Sequence, residues 1–528
     1  FYYNVNAARM ESGTMNSCVV YFYKSNKNYF KEDYESAYIC SYLKKFGNSD
    51  VFLYSPATPL ALNTKYDLYF IKIYEKEQLS DLYLFIKQNS ISVSTIFFYG
   101  QYCRNNYELF LGYFSSCGGV IVEDEYDTIT SIMESSNACK GIAYVADGVI
   151  RKNLGASHIS IEKIPNGDRR ISKNINQSFA EVVFSRGCRR HCSFCTIASS
   201  KAYDCKSNRL ILEELQEIVA TTNIKEIIFK DLSFDDRIYV YGKKSIGELA
   251  EKIIENNLNI KYDVNFRIGT FSSQNTEDVL LFRLLRKSGL VRILLGVESF
   301  VESDLRLYNK TYQVSDIIDT IQLCRQNLIY PICSFIFLNP YTKLSDFEYN
   351  LGECNRLHLL DFLPASLNVL RPEKESLLYK RLLKDKMLIE GANDIKIIWS
   401  DKRIKILADL FQNFYNHKKI WRIYIWVSIL HELIYELKFL NVRPDSASLL
   451  KRVDDILLEI NDKNYEFLLD IISEITLDKE KEELFSMFDI FLDNIENSYI
   501  SKFKILYREI RKEIEISKKI LKYNHSIL

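Results

Sequence analysis

Between residues 178 and 375 short apolar runs alternate with helical stretches, and this alternation restricts the fold more than any other feature of the sequence. Near-continuous apolar strands separated by helices are typical of a parallel sheet covered by helices. The predicted strands are Phe179–Ser185, Glu226–Lys230, Lys261–Arg267, Val291–Gly296, Ile332–Leu338 and Leu367–Leu370. Six such βα units predict a partial (β/α)6 barrel of the TIM type, with its functional residues at the carboxyl ends of the strands.

Residues 1–150 show a similar alternation of strands and helices. The predicted strands are Cys18–Tyr23, Val51–Tyr54, Asp67–Tyr74, Thr95–Tyr99 and Gly119–Val122. They predict a doubly wound, Rossmann-like or flavodoxin-like domain, which would bind ligands beyond the carboxyl ends of its strands. Residues 151–177 are turn-rich and predict a connector. In residues 376–528 the strand signals stop and apolar residues recur at helical spacing, which predicts an α-helical C-terminal domain.

The overall composition excludes some classes of protein and partner. Lys and Arg together number 69, as do Asp and Glu, and this zero net charge argues against nucleic acid as the main partner. The most apolar stretch, Ile420–Leu430, is too short to span a bilayer and contains Arg422. Without a visible secretory signal, the 12 cysteines lead us to expect reduced thiols, a cytoplasmic location and no membrane contact. Four cysteines within apolar runs are expected in the core: Cys18, Cys40, Cys324 and Cys333.

Three cysteines, Cys188, Cys192 and Cys195, follow the first predicted barrel strand in the sequence C-R-R-H-C-S-F-C. Thiolates are the usual ligands of iron–sulfur clusters, and three of them leave one iron of a [4Fe–4S] cubane open. A structural zinc site needs a fourth ligand, and His191 is badly placed for that role beside Cys192. A redox C-x-x-C pair would leave Cys188 unexplained. The pattern favours a [4Fe–4S] cluster, with zinc as an alternative.

The pattern C-x-x-x-C-x-φ-C resembles the hallmark of the radical S-adenosylmethionine (SAM) superfamily. This resemblance implies that the open iron binds the amino and carboxylate groups of SAM. The reduced cluster would then cleave SAM to a 5′-deoxyadenosyl radical, which abstracts a hydrogen from the substrate. The electron would come from a donor such as flavodoxin or ferredoxin. The resemblance also implies SAM-binding residues beside the cluster and at later strand ends: Phe194, Asp231, Asp235, Arg267, Glu298 and Ser299.

Residue chemistry supports these SAM-site candidates unequally. Asp231 and Asp235 could instead cap a turn, and Arg267 could be a surface residue. A carboxylate at the mouth of a barrel is expensive to bury without a partner, which favours a functional role for Glu298. Lys310 belongs to an Asn-Lys pair that is often found after this motif in relatives, where it is expected to be structural. The glycine-rich segment that relatives carry after the fifth strand is missing, so no adenine contact is predicted there.

A flavodoxin-like domain ahead of such a barrel is similar to the cobalamin-dependent radical SAM group. Gly100 and Gln101 stand where those relatives have a glycine-rich turn, and Glu123 and Glu125 stand in place of a G-E-G-E segment whose glycines are lost. Residues 141–148 resemble the hairpin that follows. No D-x-H-x-x-G motif is present, so this domain offers no axial histidine to cobalamin. The alternative is a domain that serves only as a lid or docking surface.

The resemblance favours C-methylation of an unactivated carbon in a small molecule or peptide, with methylcobalamin as the methyl donor. A cobalamin-free epimerase, cyclase or oxidase acting on a peptide or natural product is the main alternative. A methylthiotransferase would need a second cluster, for which Cys18, Cys103 and Cys117 would have to serve, and a C-terminal β-barrel that is not predicted. A non-catalytic zinc module is the remaining alternative. Substrate selection is expected in the C-terminal domain.

Overall fold

The computed structural model describes residues 15–22, 31–57, 60–134, 139–196, 203–374, 376–391, 395–440 and 446–527. The predicted strand end at Tyr23 lies outside these residues. The chain divides into two compact units. The first contains the N-terminal residues up to Arg186 together with residues 204–231 and 256–260, and the second contains residues 187–203, 232–255 and 261–528.

A seven-stranded sheet forms the centre of the first unit. Its strands are β1 (Met15–Phe22), β2 (Gly47–Tyr54), β3 (Leu68–Lys72), β4 (Ile96–Phe98), β5 (Gly119–Ile121), β6 (Ile142–Ala146) and β7 (Val149–Asn153). The order is β2-β1-β3-β4-β5-β6-β7, in which the first five strands are parallel and the last two are antiparallel. All five predicted strands are therefore present, and the β6–β7 hairpin lies where the resemblance placed one.

Helices cover both faces of this sheet. They are α1 (Tyr34–Leu43), α2 (Leu79–Gln88), α3 (Gln101–Asn105), α4 (Tyr107–Tyr113), α5 (Glu125–Glu134) and α6 (Arg170–Asn174). The next helix, α7 (Asn208–Thr221), belongs to the second βα series. Successive side chains on a strand point to opposite faces, so Phe97 and Phe98 enter two different buried apolar clusters. This double burial explains why the strands read as near-continuous apolar runs.

The first unit also contains the start of the second βα series. The strands are β8 (Phe179–Val182), β9 (Ser185–Arg186), β10 (Asp204–Cys205) and β11 (Glu226–Phe229), and β8 pairs with β11 in parallel. The predicted connector at residues 151–177 is more than a linker. Within it Arg169 is buried, 2.6 Å from a carboxylate oxygen of Glu32 and 3.1 Å from one of Glu214. Lys206 pairs with the other oxygen of Glu214 at 2.9 Å, so the connector is held by a closed network of charges.

Parallel strands and covering helices continue in the second unit. Its elements are α8 (Ile238–Tyr241), α9 (Lys244–Glu255), β12 (Lys261–Phe266), α10 (Thr276–Ser288), β13 (Leu290–Glu298), α11 (Glu302–Leu307), α12 (Val314–Gln326), β14 (Tyr330–Phe335), α13 (Leu344–Arg356) and α14 (Leu363–Ser366). Strand β13 pairs in parallel with both β12 and β14. The sixth predicted strand, Leu367–Leu370, forms only a single parallel bridge between Leu338 and Val369, because α14 ends directly before it.

The C-terminal region is mainly helical but not entirely so. After α15 (Leu377–Lys384), a short antiparallel hairpin joins β15 (Leu388–Glu390) to β16 (Ile395–Ile397), so the prediction that strands end at residue 375 is wrong. Three-residue strands are too short to show an alternating pattern. Four helices follow: α16 (Lys402–Asn416), α17 (Lys418–Leu440), α18 (Ser446–Thr476) and α19 (Lys481–Ile527). The helical region after residue 402 is interrupted at His417, whose backbone is extended. Among the described residues, no helix combines the length and apolar character needed to cross a membrane.

Candidate active site

The cysteine loop belongs to the second unit and is held by backbone contacts to its neighbours. Gly187 opens the loop in the left-handed region, at φ +83°, which favours glycine. The amide of Ser193 donates to the carbonyl of Tyr308 at 3.0 Å, and the amide of Leu378 donates to the carbonyl of Ser193 at 2.7 Å. The Ser193 hydroxyl donates to the carbonyl of Leu307 at 2.6 Å. The middle of the loop is therefore fixed between α11 and α15.

The three thiols of this loop are half-buried. Burial raises the pKa of Cys188 to about 11 and also raises the pKa of Cys192. Cys192 interacts electrostatically with Cys188 on one side and with Cys195 on the other. Across the described residues, no three His, Cys, Asp or Glu side chains converge on a position for a single metal ion. The ligands of a cubane each bind a different iron, so they need to surround a cluster and need not meet at one point.

A buried ion pair lies beside the cysteine loop at the carboxyl end of β13. The Lys310 ammonium is 2.8 Å from a carboxylate oxygen of Glu298, and both side chains are about nine-tenths buried. The same ammonium lies 5.3 Å from the centre of the Phe194 ring. Burial lowers the pKa of Lys310, but Glu298 outweighs this effect and raises it overall, so the lysine is charged. Lys310 also lowers the pKa of Cys192 against the effect of burial.

The backbone at Glu298 is held in an uncommon conformation. Its φ is +65°, and the pairing of β13 with β14 shifts register between Gly296 and Glu298. A Cβ at Gly296 would come within 2.8 Å of a carboxylate oxygen of Glu298, so the glycine makes room for this side chain. Holding a residue other than glycine or asparagine in the left-handed region typically costs about 1–3 kcal/mol, and such strain recurs at active sites. The strain therefore supports a functional position for the Glu298 carboxylate.

A second group of charges joins the end of β12 to the segment after β11. Arg267 lies 3.2 Å from Asp235 and 2.6 Å from Asp236, and both carboxylates are fully buried. Thr270 donates a hydrogen bond to Asp235 at 2.5 Å. The Arg189 amide in the cysteine loop donates to Asp236 at 2.9 Å, and burial raises the pKa of Asp236. Sequence reasoning selected Asp235 and missed Asp236, although the adjacent Asp-Asp pair was visible.

Two other predicted SAM-site residues, Asp231 and Ser299, are buried and form hydrogen bonds with neighbouring residues of the protein. Asp231 belongs to the first unit, is fully buried and accepts a hydrogen bond from the Phe184 amide at 3.4 Å. Ser299 is fully buried, and its hydroxyl donates to Asp304 at 2.9 Å and contacts Asn350 at 3.1 Å. These contacts indicate that Ser299 shapes the turn after β13.

We expect the carboxyl group of Asp304 to make stability depend on pH. Burial raises its pKa to about 6, above the unfolded value of about 3.9, so the folded protein holds this proton more tightly. Stability therefore falls as the pH rises from about 4 to 6, by roughly 2–3 kcal/mol. Asp304→Asn removes this effect and should stabilise the protein at pH 7.5 but not at pH 4. Urea unfolding at both pH values measures the free energy of unfolding of the variant and of the unchanged protein.

The control for this prediction is Asp455→Asn, which changes an exposed carboxylate on α18. The Asp455→Asn change should shift the urea concentration at the midpoint of unfolding only slightly, and by the same amount at both pH values. An Asp304→Asn protein that is destabilised at pH 7.5 would mean that the hydrogen bonds from Ser299 and Asn339 outweigh the buried charge.

A cavity of about 300 Å³ lies against Phe194 within the second unit. Its walls come from the residues after β14, from the segment after α14 and from one face of α16. The lining side chains include Ile336, Arg371, Phe411, Gln412 and Tyr415. Most of the wall is apolar, with Asn368, Arg371 and Gln412 as polar side chains. The C-terminal helices thus contribute directly to a cavity beside the cysteine loop, and such mostly apolar cavities with few polar groups are typical ligand sites.

The four N-terminal candidates lie at one edge of the first sheet. Gly100 and Gln101 follow the end of β4 after one intervening residue, and Glu123 and Glu125 follow β5. Because β4 and β5 are parallel neighbours, these residues share the carboxyl edge, where doubly wound domains bind ligands. Gly100 is buried at φ +87°, a conformation that favours glycine, and Gln101 is exposed.

The two glutamates at this edge have partners from the same unit. Glu123 accepts hydrogen bonds from the amides of Gly155 and Ala156, both at 2.7 Å. Glu125 pairs with Arg104. The two carboxylates therefore support the loops at this edge, and of the four candidates only Gln101 is exposed.

Residues 182–351 match the model of the Radical SAM superfamily. This part of the chain is a radical SAM domain, and the superfamily implies a [4Fe–4S] cluster and SAM as cofactors. Over 213 residues the chain is 26% identical to the anaerobic magnesium-protoporphyrin IX monomethyl ester cyclase of Rubrivivax gelatinosus. That alignment covers 39% of this chain and 37% of the cyclase, so little more than a third of the relative is matched.

The fold as a whole is similar to that of cobalamin-dependent radical SAM enzymes. The structure of OxsB, described as a cobalamin-dependent S-adenosylmethionine radical enzyme, matches with a TM-score of 0.67 and 16% identity, covering 98% of this chain and 81% of OxsB. The radical S-adenosylmethionine methyltransferase TsrM of Kitasatospora setae matches with a TM-score of 0.54 and 11% identity, covering 73% of this chain and 82% of TsrM. At these identities the likeness concerns the fold.

Proposed function

We propose that this radical SAM enzyme uses cobalamin to methylate an unactivated carbon of a small molecule or peptide. The observation that carries the proposal is the arrangement at the cysteine loop, where Cys192 and Phe194 face the buried pair of Glu298 and Lys310. The Glu298 carboxylate, held beside the three thiols by Lys310, offers a negative charge for the amino group of SAM. The fold supports the proposal because it is similar to that of enzymes described as cobalamin-dependent.

Different residues would hold the iron–sulfur cluster and SAM. Cys188, Cys192 and Cys195 would hold the cluster through thiolates, and Glu298 would orient the amino group of SAM. Arg267, fixed by Asp235 and Asp236, would face the carboxylate or ribose side of SAM. When bound, the cluster and SAM together supply a one-electron cleavage that activates a substrate C–H bond.

Cobalamin would be held at the carboxyl edge of the first sheet. The exposed Gln101, next to the left-handed Gly100, has a side-chain amide that can donate to or accept from the amide side chains of a corrin. When bound, cobalamin supplies a methyl group to the activated carbon.

Anaerobic reconstitution with iron, sulfide and hydroxocobalamin tests this proposal. After desalting, we expect about one cobalt and about four irons per chain by elemental analysis. Mass spectrometry with methyl-labelled SAM should then detect a labelled product among candidate substrates. Protein that retains iron and cleaves SAM but holds no cobalt would favour the cobalamin-free alternative, a cyclase or oxidase, for which the alignment with the cyclase is the supporting observation.

We also propose that the cavity beside Phe194 receives a ligand of the reaction, with α16 as part of its wall. Gln412→Trp places a large ring at the rim of this cavity, from an exposed position of α16. We expect the KM for SAM or substrate to rise about tenfold or more, with little change in the melting temperature, because the exposed backbone position is kept. Steady-state kinetics of 5′-deoxyadenosine formation measure it.

The matched control is Asn413→Trp, the next residue of α16, which is exposed and does not line the cavity. Its kinetics should equal those of the unchanged protein. If the two variants behave alike, the cavity does not receive a ligand of this reaction.

A further inference from the structure

The outer side of the cysteine loop carries basic and aromatic side chains that the proposed chemistry does not use. We define this donor face by Arg189, Arg190, Tyr239, Val240 and Tyr241, which come from the cysteine loop and α8 of the same unit. Tyr239 is 57% exposed, Val240 48% and Tyr241 42%. Three consecutive apolar or aromatic side chains exposed to this extent are unusual on a surface without a partner.

Direct contacts join the two parts of the donor face. The guanidinium of Arg189 lies 4.8 Å from the centre of the Tyr239 ring, and the guanidinium of Arg267 lies 5.3 Å from the same centre. The Arg189 amide is bound to Asp236, as described above. Arg189 and Tyr239 therefore adjoin, and the donor face begins at the residue that follows Cys188.

The charge of the donor face is positive. Within the part of the chain that the structure describes, the Arg189 side chain contacts the Tyr239 ring and pairs with no carboxylate, and Arg190 contacts the hydroxyl of Thr311. His191, the next residue of the loop, is also exposed. Arginine and tyrosine are enriched in protein interfaces, and exposed positive charges at a rim steer the approach of an acidic partner.

We propose that the donor face docks an acidic one-electron-donor protein that carries a flavin or an iron–sulfur centre. The inference rests on the proposed function, because a [4Fe–4S] cluster on this loop must gain one electron before SAM can be cleaved. The donor is oxidised by one electron and the cluster is reduced from the 2+ to the 1+ state, with no bond formed or broken in this transfer. A small, partly apolar and charged interface is typical of transient electron-transfer complexes.

Two variants test the donor face with flavodoxin, reduced by NADPH and flavodoxin reductase, as the probe. Val240→Asp places a negative charge on α8 at a side chain that has no part in the cofactor site, and Arg189→Glu reverses a charge on the loop. We expect Val240→Asp to lower flavodoxin-driven SAM cleavage by about tenfold at low salt, and Arg189→Glu by at least as much. With dithionite as the reductant, the rate of Val240→Asp should stay within about twofold of the unchanged protein.

The control variant is Lys451→Glu, which reverses an exposed charge on α18 and should leave both rates unchanged. Flavodoxin-driven rates that stay unchanged in both test variants would overturn the donor face. So would a loss confined to Arg189→Glu that appears equally with dithionite, since it would mean an effect on the cluster. If the unchanged protein cleaves SAM with neither reductant, the proposed function itself is contradicted. That result differs from unchanged flavodoxin-driven rates in the variants, which would contradict only the docking of a donor at this face.

Discussion

Replacing Cys192 by alanine is expected to remove the iron–sulfur cluster and abolish reductive cleavage of SAM. Cys192 is the middle thiol of the three and interacts with both of the others, so its loss leaves two ligands that are seven residues apart in sequence. Two thiolates do not hold a cubane. Iron and sulfide analysis after anaerobic reconstitution should give about four irons per chain for the unchanged protein and fewer than about one for the variant. The visible spectrum and the yield of 5′-deoxyadenosine should fall in parallel.

The matched control is Cys354→Ala, which removes a fully buried thiol from α13 in the same unit. It should lower stability slightly and leave the iron content unchanged, because a buried cysteine packs as a small apolar residue. A Cys192→Ala protein that keeps four irons and its colour would contradict the assignment of the cysteine loop as the cluster site.

The second large effect is expected at the ion pair of Glu298 and Lys310. Lys310→Met leaves the Glu298 carboxylate buried without its partner, and Glu298→Gln does the same to the ammonium. Breaking a buried pair in this way typically costs about 3–5 kcal/mol of stability. The double variant Glu298→Gln and Lys310→Met buries no unpaired charge, so it should regain most of that stability. Denaturant unfolding of all four proteins measures the coupling.

Activity separates a functional pair from a structural one. If the pair binds the charged groups of SAM, 5′-deoxyadenosine formation should fall by at least about a hundredfold in both single variants and stay low in the double variant, because stability is restored without the charges. Iron content serves as the control, since none of the three changes removes a thiol. A double variant with normal stability and normal SAM cleavage would assign the pair to the fold alone.

Much of the fold follows from the periodicity of the sequence. All five predicted N-terminal strands formed, because strands buried on both faces need near-continuous apolar runs such as the one around Phe97 and Phe98. Cys18, Cys40, Cys324 and Cys333 are buried, as their apolar surroundings predicted. The sixth barrel strand was predicted from an apolar run that forms only a single bridge. The β15–β16 hairpin was not predicted, because its strands are only three residues long.

The sequence predicted which residues belong to the candidate site better than it predicted which of their side chains contact each other. Glu298 was selected from a motif, and burial without a partner was expected to be costly. Its partner Lys310 lies 12 residues later and was expected to be structural, because sequence spacing does not say which side chains meet after a loop and a short helix. In the same way Asp236 rather than Asp235 accepts the hydrogen bond from Arg189, a choice between neighbours that depends on the local backbone.

The left-handed backbone at Glu298 has a consequence for selection experiments. A glutamate at φ +65° carries a conformational penalty that glycine or asparagine would relieve. In a saturation library at position 298 of the Lys310→Met variant, no buried ammonium needs the carboxylate, so sorting for resistance to heat or protease should enrich glycine and asparagine over glutamate. In a library that keeps Lys310 and is sorted for SAM cleavage, glutamate should be returned. Opposite outcomes of the two sorts would mark position 298 as one where the protein gives up stability for its chemistry.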